Sequence, residues 1–165
     1  MEAAIRAGDI EAVRTYYTNG KDPNEFINAN GRTTPLIWAI NNGKYDIALL
    51  LVQLGANPNL YIKNQAGKHS PLISIIRKGA DAGSFLSPRG LEVGIFFEKM
   101  VELGLEVNTA LHTLFEMQDS ISIGMATIII KSGVDINAVD EKGYTPLLVL
   151  ARRKKTPDAI FNKLV

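Results

Sequence analysis

The sequence predicts an all-α fold: a solenoid of stacked helix-turn-helix units forming a single domain over residues 1–165, with a long insert in the third unit. Two repeated signals and one bound from composition predict it. The first signal closes segments, because "GKDPN" (20–24), "GANPN" (55–59), "GLEVN" (104–108) and "GVDIN" (133–137) all place a glycine four residues ahead of an asparagine. Random order would give that pair about once in such a chain. The second signal opens segments: "TTPLIWAINNG" (33–43), "HSPLISIIRKG" (69–79), "NTALHTLFEMQ" (108–118) and "YTPLLVLARRK" (144–154). Their equivalent residues Pro35, Pro71, Ala110 and Pro146 stand 36, 39 and 36 positions apart. The bound is that 46% hydrophobic and 21% charged residues in 165 positions suit one compact domain with a buried core.

Each closing segment is the end of a helix. At eight, four and three residues before the glycine stand Ala12, Tyr16 and Tyr17; Ile47, Leu51 and Val52; Phe96, Met100 and Val101; and Met125, Ile129 and Ile130. Positions so spaced stack along one side of a helix. The glycine then adopts the left-handed conformation that stops the helix at little cost. Each opening segment begins a second, shorter helix: Thr34, Ser70, Thr109 and Thr145 suit the N-cap, and proline at the next position loses only an N–H that had no helical partner. A turn, often with glycine (Gly8, Gly43, Gly79), is expected between the two helices of a unit. Asn19-Gly20 and Asn42-Gly43 read as helix closings, whereas Asn30-Gly31 reads as a tight turn between units.

Composition excludes several function classes. No apolar run approaches the ~20 residues of a membrane span, and "MEAAIRAGDIEAV" has neither the basic segment nor the apolar run of a signal peptide. An intracellular, cytoplasmic protein is therefore expected. The absence of cysteine fits a reducing compartment and removes disulfide and thiolate chemistry. His69 and His112 are the only histidines, and neither has a second histidine at helical ligand spacing. No "GxxxxGK" or "GxSxG" occurs. Asp135, Asp140 and Glu141 lie close together, in a pattern that more often shapes turns and caps than binds a metal. No catalytic residue, metal or cofactor is expected.

"NGRTTPLIWAINNGKYDIALLLVQLGANPN" (30–59) resembles the ankyrin repeat family, whose pattern runs G, x, T, P, L, H, x, A, then x, x, G, an amphipathic helix, and G, A, x, x, N. "AIRAGDIEAVRTYYTNGKDPN" (4–24) is similar to a first repeat lacking its opening, and "DEKGYTPLLVLA" (140–151) opens a last one. The resemblance covers about five repeats, near 1–28, 29–62, 63–108, 109–138 and 139–165. Departures stand out. The third repeat separates Gly79 from Gly104 by 25 positions where the second separates Gly43 from Gly55 by 12. The fourth passes from Asn108 straight to Thr109, so its projecting finger is missing. Only His112 stands at the family's histidine position, which implies a side chain tying loop to helix; Ile37, Ile73 and Leu148 replace it elsewhere. His69 is expected to be an exposed turn residue. The chain stops at Val165 inside the last outer helix, an end expected to be capped or poorly ordered.

The resemblance implies a non-enzymatic protein-protein interaction module, monomeric and without cofactor. In the family, the two positions after the small pair on each first helix and the finger tips face the concave surface where partners bind. Carried over, these are Arg6 and Ala7; Asn41 and Asn42; Arg77 and Lys78; Glu116 and Met117; Arg152 and Arg153; and, on fingers, Asn30, Arg32, Lys68, Lys142 and Tyr144. Eight cations there face one acid, Glu116, although the whole chain has a net charge of only +1. An acidic protein surface is the expected partner. A purely solvating role for those cations stays open. "RRKK" (152–155) is one run without interleaved aromatics, so no nucleic-acid partner is expected, and no membrane.

A rival reading is an inhibitor or immunity-type protein that blocks one target enzyme or toxin with the insert 80–94. Phe85, Leu86, Pro88 and Leu91 could make that contact, or Phe85 and Leu86 could fold back over the fourth repeat. Trp38 poses the same choice between core and anchor. A third class, an enzyme or a fragment regulating one, rests on the abrupt C-terminus alone.

Overall fold

The computed structural model describes residues 1–27, 33–64, 67–82, 87–117 and 122–153. Its elements run α1 (Glu2–Ala7), α2 (Ile10–Thr18), α3 (Pro35–Asn41), α4 (Tyr45–Gln53), β1 (Ile62–Asn64), β2 (Gly67–His69), α5 (Pro71–Asp81), α6 (Pro88–Glu102), α7 (Ala110–Glu116), α8 (Ile123–Lys131) and α9 (Pro146–Ala151). The fold is all-α, built of helix pairs, with one small antiparallel hairpin among the described residues. All four closing glycines are left-handed: φ is 88° at Gly20, 99° at Gly55, 92° at Gly104 and 81° at Gly133. The opening signals also hold, because α3, α5, α7 and α9 begin at Pro35, Pro71, Ala110 and Pro146.

The caps follow the local backbone. Thr34 accepts from Ile37 N–H at 3.3 Å, Ser70 from Ile73 at 3.1 Å and Thr145 from Leu148 at 3.4 Å. Thr109 departs from expectation and caps nothing with its side chain. Its ψ of 10° contrasts with 160° at Thr34 and Thr145, so its hydroxyl is not presented to the first turn of α7. The cause lies just upstream, where a tight turn closed by Ala110 N–H to Val107 O (2.8 Å) stands in place of a finger.

Two compact units make up the chain, Met1–Ile75 with Glu102–Leu105, and Ile76–Val101 with Glu106–Val165. In the first, α1 packs on α2 and α3, and α4 packs on α2 and α3. Its core holds Ile5, Val13, Leu36, Ile37, Ile40, Ile47 and Leu51. Tyr16 is 41% exposed although Leu51, at the equivalent offset, is fully buried. Val13 and Tyr17 are the buried pair of α2, which packs chiefly on α1 and α4 among the described residues. The hairpin pairs Ile62 with His69 and Lys63 with Lys68, forming a finger. His69 therefore sits half-buried in a strand, not in an exposed turn, and its Nε2 is enclosed without a hydrogen-bond partner among the described residues.

In the second unit, α7 packs against α8 and α9 around Phe97, Met100, Leu111, Leu114, Phe115, Met125 and Ile129. Gly79 does not form a turn as expected. It lies inside α5, where a Cβ would stand 2.5 Å from Met125 Sδ and 3.2 Å from its Cγ. Tertiary contact here overrides the glycine's breaking tendency and extends α5 to 11 residues, against 7 in α3. The next helix, α6, has 15 residues against 9 in α4, and Ser87 caps it by accepting from Gly90 N–H at 3.0 Å. Residues 88–94 are thus helical, while 83–86, which include Phe85 and Leu86, lie outside the described residues. The C-terminal segment 154–165 lies outside them as well. No described helix is long and apolar enough to cross a membrane.

Candidate interaction surface

Repeat-to-repeat bonds set the spacing on which any recognition surface depends. Asn24 Nδ2 donates to Gly55 O at 3.1 Å while its Oδ1 accepts from Asn57 N–H at 2.7 Å. One repeat later, Asn59 Nδ2 donates to Gly104 O at 2.9 Å. The asparagines that end the first two closing signals therefore read the backbone of the next.

In the first unit, Arg6 is exposed at the end of α1 and its guanidinium lies 5.4 Å over the Trp38 ring on α3. Trp38 is half-buried, with an enclosed Nε1 that has no hydrogen-bond partner among the described residues. Asn41 is exposed; Asn42 is half-buried and donates through Nδ2 to Trp38 O at 2.8 Å, closing α3. On the finger, Lys68 is exposed and its Nζ lies 5.9 Å over the Tyr61 ring. Tyr61 escaped sequence reasoning because only the hairpin register brings it beneath Lys68. Arg32 and Asn30 lie outside the described residues.

In the second unit, Arg77 is exposed on α5 and Lys78 half-buried beside it. Arg152, just beyond α9, is exposed with its guanidinium 4.7 Å over the Tyr144 ring. Arg153 turns inward, and its Nη1 donates to the carbonyls of Phe115 and Met117 at the end of α7. Cations are favourable there because the last carbonyls of a helix lack intrahelical partners. Lys142 is exposed and reaches Glu116 at 3.9 Å, so the lone acid of the set neutralises one cation.

A backbone network holds Tyr144 in place. His112 is 3% exposed and its Nε2 donates to Tyr144 O at 2.8 Å, the loop-to-helix tie that the resemblance implies. Asp140 Oδ1 accepts from Lys142 N–H at 2.8 Å and from Tyr144 N–H at 2.9 Å. The Tyr144 N–H holds the Asp140 carboxyl below its ordinary range; desolvation opposes this, and the Lys142 N–H and nearby positive groups reinforce it. Asp135 likewise accepts from Asn137 N–H at 2.9 Å. These carboxylates shape turns. Among the described residues, no group of three or more His, Cys, Asp or Glu side chains could hold a metal ion.

The arrangement offers cations oriented over aromatic rings. No curated protein matches the chain. A family model described as "Ankyrin repeats (3 copies)" matches residues 1–96, more than half of its length. The chain belongs to the ankyrin-repeat family, whose repeats generally serve as non-enzymatic protein-protein interaction modules.

Proposed function

We propose that this protein holds a partner through its inner helices and fingers, and that the partner surface is acidic. One observation carries the reading: Arg6, Lys68 and Arg152 are each exposed and each lie over an aromatic ring. None of the three is in an ion pair with a described residue. A cation solvated merely for solubility sweeps many rotamers, whereas a ring beneath it narrows that freedom and leaves the charge available. Arginine adds a planar fork that matches carboxylates. Arg77 extends the set on α5, while Arg153 and Lys142 are already engaged within the chain.

The test reverses Arg6, Lys68, Arg77 and Arg152 to glutamate and leaves Arg153 intact to preserve the α7–α9 contact. Affinity capture from the native source should then lose a partner that the unaltered chain retains, with the helical circular-dichroism spectrum unchanged. Association of that partner should slow steeply as ionic strength rises, because charges more than about 10 Å apart are screened at 0.1 M salt. Equal capture by the reversed chain rejects the reading.

A further inference from the structure

A cleft on the first repeat carries chemistry opposite to that of the basic residues. It is a cavity of about 370 Å³ whose walls include Tyr16, Tyr17 and Phe26 together with Glu2, Asp22 and Glu25. The mouth is open to solvent, since Phe26 is 51% and Tyr16 41% exposed. Tyr16 and Tyr17 meet edge to face at 84°, centroids 5.1 Å apart, making a rigid aromatic corner.

Tyr17 differs from its neighbours in being only 6% exposed. Its hydroxyl has no hydrogen-bond partner among the described residues, and its side chain lines the cavity. Burial first, then Tyr16, Glu25 and Asp22, push this phenol well above its ordinary pKa, so it stays neutral and keeps both its proton and its lone pairs. None of the three carboxylates is in an ion pair with a described residue. Asp22 uses one oxygen on Asn24 N–H at 2.8 Å and has its other to offer.

Aromatic faces, carboxylates and a phenol oxygen all attract positive charge. Lysine's ammonium is compact and strongly hydrated, whereas a guanidinium is flat, weakly hydrated and able to stack while its N–H groups fork onto carboxylates. We propose that this cleft receives an arginine side chain from a basic segment of a partner protein, its plane against the Tyr16, Tyr17 and Phe26 rings and its N–H groups on Glu2, Asp22, Glu25 and the Tyr17 hydroxyl. This inference is independent of the reading of the basic residues and survives its failure.

The test is an NMR titration of the full chain with the peptide Ac-Gly-Arg-Gly-NH2, with its neutral citrulline counterpart, with Ac-Gly-Lys-Gly-NH2 and with guanidinium chloride. Saturable millimolar shifts centred on Tyr16, Tyr17 and Phe26 are expected for the arginine peptide. The combined Asp22→Asn and Glu25→Gln chain should bind it at least about fivefold more weakly at an unchanged melting temperature, a loss of roughly 1 kcal/mol. Tyr17→Phe, which keeps the ring, should weaken binding by a smaller factor. Equal binding of the citrulline peptide, or absence of saturation, overturns the site. Equal binding of the lysine peptide overturns the arginine assignment, and guanidinium binding as tightly as the peptide overturns its source in a partner chain.

Discussion

Asn24 spans two repeats: its side chain donates to Gly55 O and accepts from Asn57 N–H, 31 and 33 positions along the chain. The same glycine that lets α4 stop also turns its carbonyl toward the preceding repeat. Asn24→Ala should destabilise the protein by about 1–2 kcal/mol, the sum of two partly exposed hydrogen bonds. Asn24→Asp keeps the acceptor but sets a carboxylate against the Gly55 carbonyl, so it should recover little of that loss. Urea unfolding of the three chains checks both outcomes.

Thr34 and Thr109 occupy equivalent sequence positions and make unequal contributions. Thr34→Ala removes a buried cap and should cost about 1 kcal/mol, within the usual range for such residues. Thr109→Ala, where no side-chain cap exists, should stay within about 0.5 kcal/mol of the original. Equal losses in thermal melts would contradict the turn geometry ahead of α7.

Gly79 is tolerated in mid-helix because Met125 occupies the space of its missing side chain. Replacing a helical glycine with alanine normally gains up to about 1 kcal/mol. Here Gly79→Ala should instead lose about 1–3 kcal/mol through overpacking, since Met125 is 1% exposed and has little room to retreat. Met125→Ala should destabilise by itself, yet the double variant should be more stable than the sum of the two losses. Denaturation of all four chains measures that coupling.

Acid should loosen the loop that carries Tyr144. The folded Asp140 carboxyl lies below its ordinary pKa, chiefly because it accepts the Tyr144 N–H. Its contribution is therefore complete above the unfolded carboxylate value near 4 and fades as pH falls through the lower folded value. Protection of the Tyr144 and Lys142 amides, with the intrinsic pH dependence of exchange divided out, should fall across that interval, and Asp140→Asn should remove that fall. Protection that stays constant in the unaltered chain would contradict the proposed bonding.

Helix starts and stops could be read directly from the linear order of residues. Threonine-proline openings and left-handed glycines act within a single turn, so Pro35, Pro146, Gly55 and Gly133 behave as their neighbours dictate. Resemblance also anticipated the His112 tie. Through-space neighbours were decisive elsewhere. Gly79 joins a helix because Met125 fills the space beside it, and Arg153 turns inward because the carbonyls of Phe115 and Met117, 38 and 36 positions away, lack partners. The rings beneath Arg6, Lys68 and Arg152 likewise depend on helix packing, a hairpin register and a loop fold. Caps and closing turns are short-range and survive in local spelling; the direction of a long flexible cation depends on the surface that folding brings beneath it.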